Sequence, residues 1–269
     1  MDRIDVAIIA WVNQFAQRSH LFDASIRDLA SFNLLKGTPF VLVLTWMWCS
    51  GGESQRRRRE IVIATMCAAV FAIALGRLMA KGLPFRPRPL SRTDIHFVLP
   101  YTVDPNSYRG WSAFPSDTAM LYAALATGFW FVSPSLALVA HAYAAIVIGF
   151  PRLYVGFHHP SDLIIGAAIG TVVSAVANDR SIRKVLAAWP QRLAEKRPTL
   201  FALLAMLMAT QLASTFDDVH TALRGALRIA RSGWCGVVGG NGCRGAPPAP
   251  VSPDPESRAP GGAGGTGPR

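Results

Sequence analysis

Six apolar blocks, at residues 34–49, 61–80, 118–132, 136–150, 163–177 and 200–214, constrain this chain more than any other feature. Their apolar residues run continuously, without the amphipathic spacing of a helix lying on a soluble core. A helix that crosses a bilayer needs about 20 apolar residues; several blocks fall short of that length, but each can borrow neighbours at its ends. Only 16% of the 269 residues are charged, against roughly 25% in ordinary globular chains, so the polar surface of a soluble domain is missing. With 51% hydrophobic residues and four cysteines, most of the chain is neither disordered nor a disulfide scaffold. The expected fold is all-α: a polytopic membrane bundle of about six transmembrane helices, followed by a disordered C-terminal tail.

Four segments follow from this pattern. Residues 1–33 hold a short apolar stretch, 4–15, interrupted by Asp5, Asn13 and Gln14. It is either a first span or an amphipathic helix in the membrane interface, where Trp11 would suit it. Residues 34–214 form the membrane domain. Lys36 and Arg77 sit near the ends of their blocks and are expected to snorkel towards water. Gly and Ala abound at 119–128 and 166–177, which favours close helix packing in lipid. Residues 215–232 read as a short helical or amphipathic segment. In 233–269, 18 of 37 residues are Gly or Pro, so this tail cannot bury enough apolar surface to fold. Cys235 and Cys243 open it and could pair on an oxidising side. Cys49 and Cys67 lie in or beside apolar blocks and read as packing residues.

Basic loops set the orientation. The net charge is +11, and it concentrates in the arginine run 56–59 and in Arg180, Arg183, Lys184, Arg192, Lys196 and Arg197. The positive-inside rule puts both groups in the cytoplasm, and the even number of blocks between them agrees. The loops 81–112 and 151–161 then face the other side. No aromatic residues interleave the arginine run, so nucleic acid is not an expected partner.

The outward loops hold three polar clusters, at 81–89, 114–118 and 152–162. Singly, each has an ordinary structural role: headgroup anchor, helix start, carbonyl partner. Together they suit a phosphate. Lys81, Arg88 and Arg152 supply fixed positive charge, since arginine binds phosphate oxygens in pairs and lysine adds a mobile point charge. Ser116 begins a helix, where hydroxyl and free N–H groups make an anion seat. His158 can attack phosphorus when a carboxylate holds its tautomer. Asp162 comes into reach if Pro160 opens a helix. No His, Cys, Asp and Glu set has metal-ligand spacing, so neither a metal nor another cofactor is expected.

The spacings Lys-x6-Arg-Pro at 81–89, Pro-Ser-x-x at 115–118 and Arg-x5-His-x3-Asp at 152–162 resemble the three signatures of the type 2 phosphatidic acid phosphatase family. That family includes lipid phosphate phosphatases, glucose-6-phosphatase and bacterial undecaprenyl-diphosphatases, and is related to vanadium haloperoxidases. The resemblance implies that His158 is the nucleophile that becomes phosphohistidine, with Asp162 its partner. It makes Lys81, Arg88, Ser116, Asp117 and Arg152 the substrate-binding set, and gives His159 no catalytic role. It further implies an undecaprenyl-diphosphatase-like hydrolase of the bacterial inner (plasma) membrane, with its site facing the periplasm and a membrane lipid phosphate as substrate.

Two positions depart from the family pattern. Pro151 stands where Ser usually precedes the third-signature Arg. More consequentially, Thr118 stands where the second signature usually ends in the His that protonates the leaving oxygen. A site without that acid should favour diphosphates over monoesters, unless His96, His159 or Asp117 replaces it. The alternative readings are a phosphatidate or phosphatidylglycerophosphate phosphatase, a lipid phosphotransferase, and a non-catalytic protein that binds lipid phosphates.

Overall fold

The structure is a computed structural model that describes residues 2–52, 54–101, 103–104 and 110–213. Among these residues every regular element is helical and no strand occurs. The helices are α1 (Asp2–Asn13), α2 (His20–Ser31), α3 (Asn33–Cys49), α4 (Gln55–Gly82), α5 (Asp117–Trp130), α6 (Pro134–Tyr143), α7 (Phe150–Tyr154), α8 (Pro160–Ala177), α9 (Arg180–Lys196) and α10 (Pro198–Ala213). A π-helical stretch, Ala144–Gly149, joins α6 to α7. The segments 215–232 and 233–269, with Cys235 and Cys243, lie outside the described residues.

Local chemistry sets the helix starts. Ser116 and Ser133 cap α5 and α6 by accepting the N–H groups of Ala119 and Leu136, and Asp179 caps α9 by accepting that of Ser181. Pro134 and Pro160 occupy first-turn positions of α6 and α8, where a missing N–H costs nothing.

Each of the six apolar blocks is helical, but the helices differ in what they face. Gln55–Gly82, Pro134–Tyr154 and Pro160–Ala177 are long and apolar enough to cross a membrane. α2 and α3, bent by 50° at their junction, make a fourth candidate when taken together. α5 has 14 residues, about 21 Å of helix, well short of a hydrocarbon core of about 30 Å. It is apolar because protein surrounds it: Met120, Leu121, Ala124, Leu125 and Ala126 are wholly buried, packed between α4, α8 and α6. A helix that is apolar all round is one buried on all sides. α5 still runs the depth of the bundle, from Asp117 beside Arg77 to Gly128 beside Thr65 of α4, so both basic segments stay at one end.

Close backbone approach holds α5 in place. A Cβ on Gly170 would lie 2.1 Å from the Met120 carbonyl oxygen, and one on Gly166 would lie 2.7 Å from that of Ser116. Any side chain at either position would push α8 off α5 and displace the start of α5.

The expectation that Lys36 and Arg77 snorkel is corrected. Lys36 is 2% exposed and its Nζ donates to the Ala30 carbonyl at the α2–α3 bend, a polar target nearer than bulk water. Arg77 pairs with Asp117 of α5 at 3.4 Å. Cys49 and Cys67 are exposed free thiols rather than packing residues.

The basic segments share one end of the bundle. Arg183 of α9 lies 3.7 Å from Glu60 at the start of α4, and Gln191 donates to the Arg56 carbonyl. The loop after α4 and the start of α8, which hold the polar clusters, lie at the opposite end of these helices.

Candidate active site

Arg88 ties the first and third clusters together. It is 7% exposed, and its Nη1 donates to the Phe157 carbonyl at 2.8 Å. Its Nε reaches the Trp111 carbonyl at 3.4 Å. Arg152, 6% exposed, winds a tight turn: its carbonyl accepts the N–H groups of Phe157 and His158. Gly156 gives that turn its positive φ of 75°, a conformation glycine adopts without strain. Arg152 Nε is buried with no hydrogen-bond partner among the described residues. An unsatisfied buried guanidinium donor is costly and suits an anion.

The turn delivers His158, which is 2% exposed. Its Nδ1 lies 2.9 Å from the Ala113 carbonyl. A carbonyl only accepts, so Nδ1 carries the proton and Nε2 keeps its lone pair. Nε2 stands 3.5 Å from Ser116 Oγ at the start of α5. Burial, and then the charges of Arg88 and Arg152, push His158 well below the ordinary imidazole value. It is a neutral imidazole with a defined tautomer, its Nε2 lone pair met among the described residues only by the Ser116 hydroxyl at the limit of hydrogen-bond reach, beside positive charge.

Asp162 was expected to hold the His158 ring, and here the geometry differs. Asp162 Oδ2 is 3.9 Å from His158 Nδ1, beyond hydrogen-bond reach. That oxygen instead accepts the backbone N–H of His159 at 2.7 Å and the His159 Nδ1–H at 3.1 Å. Its other oxygen pairs with Arg86, and its carbonyl accepts the Ser116 N–H at 3.2 Å. Asp162 is wholly buried and braces the walls on either side of His158, while a backbone carbonyl sets the tautomer.

The structure therefore brings Arg88, Ser116, Arg152, His158 and Asp162 together. Lys81 stands exposed in the last turn of α4, with no hydrogen bond to these residues. Asp117 turns towards α4: besides pairing with Arg77, its carboxylate accepts the Thr118 N–H at 2.8 Å. Thr118 is 2% exposed in the first turn of α5. Sequence reasoning missed Arg86, the Ala113 carbonyl and Asp5. Arg86 was visible as a third cation between Lys81 and Arg88, whereas a backbone carbonyl leaves no residue-type signal. Among the described residues no three His, Cys, Asp or Glu side chains are grouped to hold a metal ion.

Residues 61–183, from α4 into α9, match the PAP2 superfamily, and this span includes every residue of the buried cluster. That stretch, a little under half of the chain, is PAP2-like. Three curated relatives are similar to it. Undecaprenyl-diphosphatase of Sulfolobus acidocaldarius is 28% identical over 44% of this chain and 54% of its own length. Lipid A 1-diphosphate synthase of Escherichia coli is 28% identical over 61% of this chain and 70% of its own. Undecaprenyl-diphosphatase BcrC of Bacillus subtilis is 21% identical over 50% of this chain and 63% of its own. The match thus spans about half the length of the first relative. No solved structure matches this chain.

Proposed function

We propose that this PAP2-like protein is an integral membrane phosphatase that hydrolyses a lipid diphosphate of the polyprenyl class through a phosphohistidine at His158. The observation that carries this reading is the His158 geometry: Nδ1 held by the Ala113 carbonyl, Nε2 unprotonated beside Ser116 Oγ, and two buried arginines alongside. Nε2 attacks the terminal phosphorus. An N–P bond forms as the bridging P–O bond breaks, and a lipid monophosphate leaves with the electron pair. Water then attacks the phosphohistidine, the N–P bond breaks, and its proton passes to the released phosphate. Arg152 and Arg88, with Lys81 closing from the rim, balance the phosphate charge, and Ser116 Oγ offers a hydrogen bond beside the transferring group. Two relatives named undecaprenyl-diphosphatase support the diphosphate class.

Purified protein should release phosphate from a polyprenyl diphosphate with EDTA present, because the roles assigned here use protein cations alone. Turnover that is absent in EDTA and returns with Mg²⁺ would overturn this scheme. A second reading, transfer of the phosphoryl group from His158 to a lipid phosphate, is favoured by the similarity to lipid A 1-diphosphate synthase, which extends over more of the chain. Adding a lipid monophosphate acceptor decides between them: a phosphorylated acceptor forming at the expense of free phosphate supports transfer.

The same reading places the site on the periplasmic face of a bacterial inner membrane. Its support is that both basic segments lie at the end of the bundle away from His158, where the positive-inside rule puts the cytoplasm. In a background without native cysteines, a membrane-impermeant thiol reagent should label Thr93→Cys in intact cells and leave Arg57→Cys unlabelled. The opposite pattern would reverse the orientation.

A further inference from the structure

The N-terminal helix α1 carries one buried charge, and it touches the site. The inward positions of α1 and the turn after it are Asp5, Ile9, Val12 and Ala16, exposed by 2%, 2%, 4% and 9%. Three are apolar, as packing asks. A buried carboxylate costs several kcal/mol unless it is fully partnered, so packing alone would not select Asp5.

Its partners account for it. Asp5 Oδ1 accepts the Ser161 N–H at 2.9 Å, and Oδ2 accepts the Ser161 hydroxyl at 2.6 Å. Oδ2 also pairs with Arg86 Nη2 at 2.7 Å. Burial pushes the Asp5 carboxyl up, but the bonds from Ser161 and Arg86 outweigh it and hold the group below the usual carboxylate range. Arg86 Nη1 in turn donates to Ser161 Oγ at 2.8 Å and to Asp162. One guanidinium is thus shared between a carboxylate of α1 and a carboxylate of α8.

We propose that Asp5 is a positioning residue for phosphoryl transfer, acting through Arg86 and Ser161 on Asp162 and the turn that carries His158. This rests on the phosphatase reading above. Asp5 caps the first turn of α8 from outside, so it fixes the rotation of the backbone that presents Asp162. Asp162 then holds Ser116 through its carbonyl and His159 through its side chain. Without Asp5, Arg86 loses one of its carboxylate partners and the Ser161 N–H loses its acceptor. The outer face of the same segment shows Ile4, Ile8, Trp11 and Phe15, exposed by 37–68%. Those residues suit an interfacial helix, too short at 12 residues to span, that is held against the site from the membrane surface.

Steady-state kinetics of the full chain on a polyprenyl diphosphate test this. Asp5→Asn should lower kcat about 10- to 100-fold, as expected when a reacting group is misplaced by about 1 Å. KM should stay within about threefold, because Arg88 and Arg152 are untouched. Ile9→Ala loosens the same helix and leaves the carboxylate, so its kcat should stay within about threefold of wild type. Asp5→Glu, which keeps the charge, should retain more activity than Asp5→Asn. Wild-type kcat in Asp5→Asn, or equal losses in Asp5→Asn and Ile9→Ala, would overturn the positioning role while the phosphatase reading stands. If Asp5→Asn fails to fold, Ser161→Ala, which removes one Asp5 partner and keeps the carboxylate, takes its place: a kcat well below that of Ile9→Ala supports the role, and a kcat within about threefold of wild type overturns it. Wild-type protein no more active than a His158 variant would remove the phosphatase reading and this inference together.

Discussion

His158→Asn should abolish turnover, by roughly 10⁴-fold or more, the scale on which loss of a covalent nucleophile acts. Asparagine is the informative replacement. Its amide can still donate to the Ala113 carbonyl, which otherwise becomes an unsatisfied buried acceptor at a cost of about 1–3 kcal/mol. It offers no ring nitrogen to phosphorus. An alkaline quench of wild type on labelled diphosphate should trap phosphate on the protein, and the variant should trap none. The wild-type pH profile supplies a second readout. His158 is pushed below the ordinary imidazole value, so its neutral, nucleophilic form persists as pH falls. The acid limb of kcat/KM assigned to this residue should therefore lie below about 6.5. Stability has the matching sign: the unfolded chain takes up this proton first, so the His158 contribution is present above about 6.5 and is lost as pH falls below it. An active His158→Asn variant, or an unlabelled wild type that still turns over, would remove the covalent mechanism.

Much of this architecture was legible because its signals are local. Ser116 caps α5 and Pro160 opens α8 as residue type dictates, and the apolar blocks are all helical. The order of Arg88, Ser116, Arg152 and His158 along the chain carried the family resemblance. What escaped has no local signal. Asp5 meets Ser161 across 156 residues, and in sequence it reads only as an interruption of an apolar stretch. The Ala113 carbonyl sets the His158 tautomer, yet any residue at that position carries a carbonyl. Asp162 lies at the expected distance along the chain, but Arg86 and the first turn of α8 compete for its oxygens. α5 reads as apolar on every side because protein interior and lipid select the same residues, so the sequence does not show which of the two surrounds it.

Thr118 should give the other large effect, a preference for diphosphates over monoesters. Cleaving a monoester expels an alkoxide, whose conjugate acid resembles water, with a pKa of about 15.7. Cleaving a diphosphate expels a phosphate monoester with a second pKa of about 6, which leaves with little protonation. A positioned general acid contributes on the order of 10²–10⁴ in rate, so its loss falls mainly on the monoester. The geometry offers no ready replacement. Asp117 is engaged by Arg77 and by the start of its own helix. His159 is wholly buried and tied through Nδ1 to Asp162, which leaves its Nε2, unpartnered among the described residues, as the one ring nitrogen to test. His96 is exposed, at a positive φ of 46°, in the loop outside the buried cluster. Wild type should therefore hydrolyse a polyprenyl diphosphate at least about 10²-fold faster than phosphatidic acid. Thr118→His should raise monoester turnover by about that factor and leave diphosphate turnover nearly unchanged. Because Thr118 is buried at the start of α5, a larger ring there can disturb Ser116 and slow both reactions, so the ratio of the two rates is the decisive quantity. Equal wild-type rates on both substrates would show that another group supplies the proton, and single replacements of His96, His159 and Asp117 would identify it by a selective loss of the monoester rate.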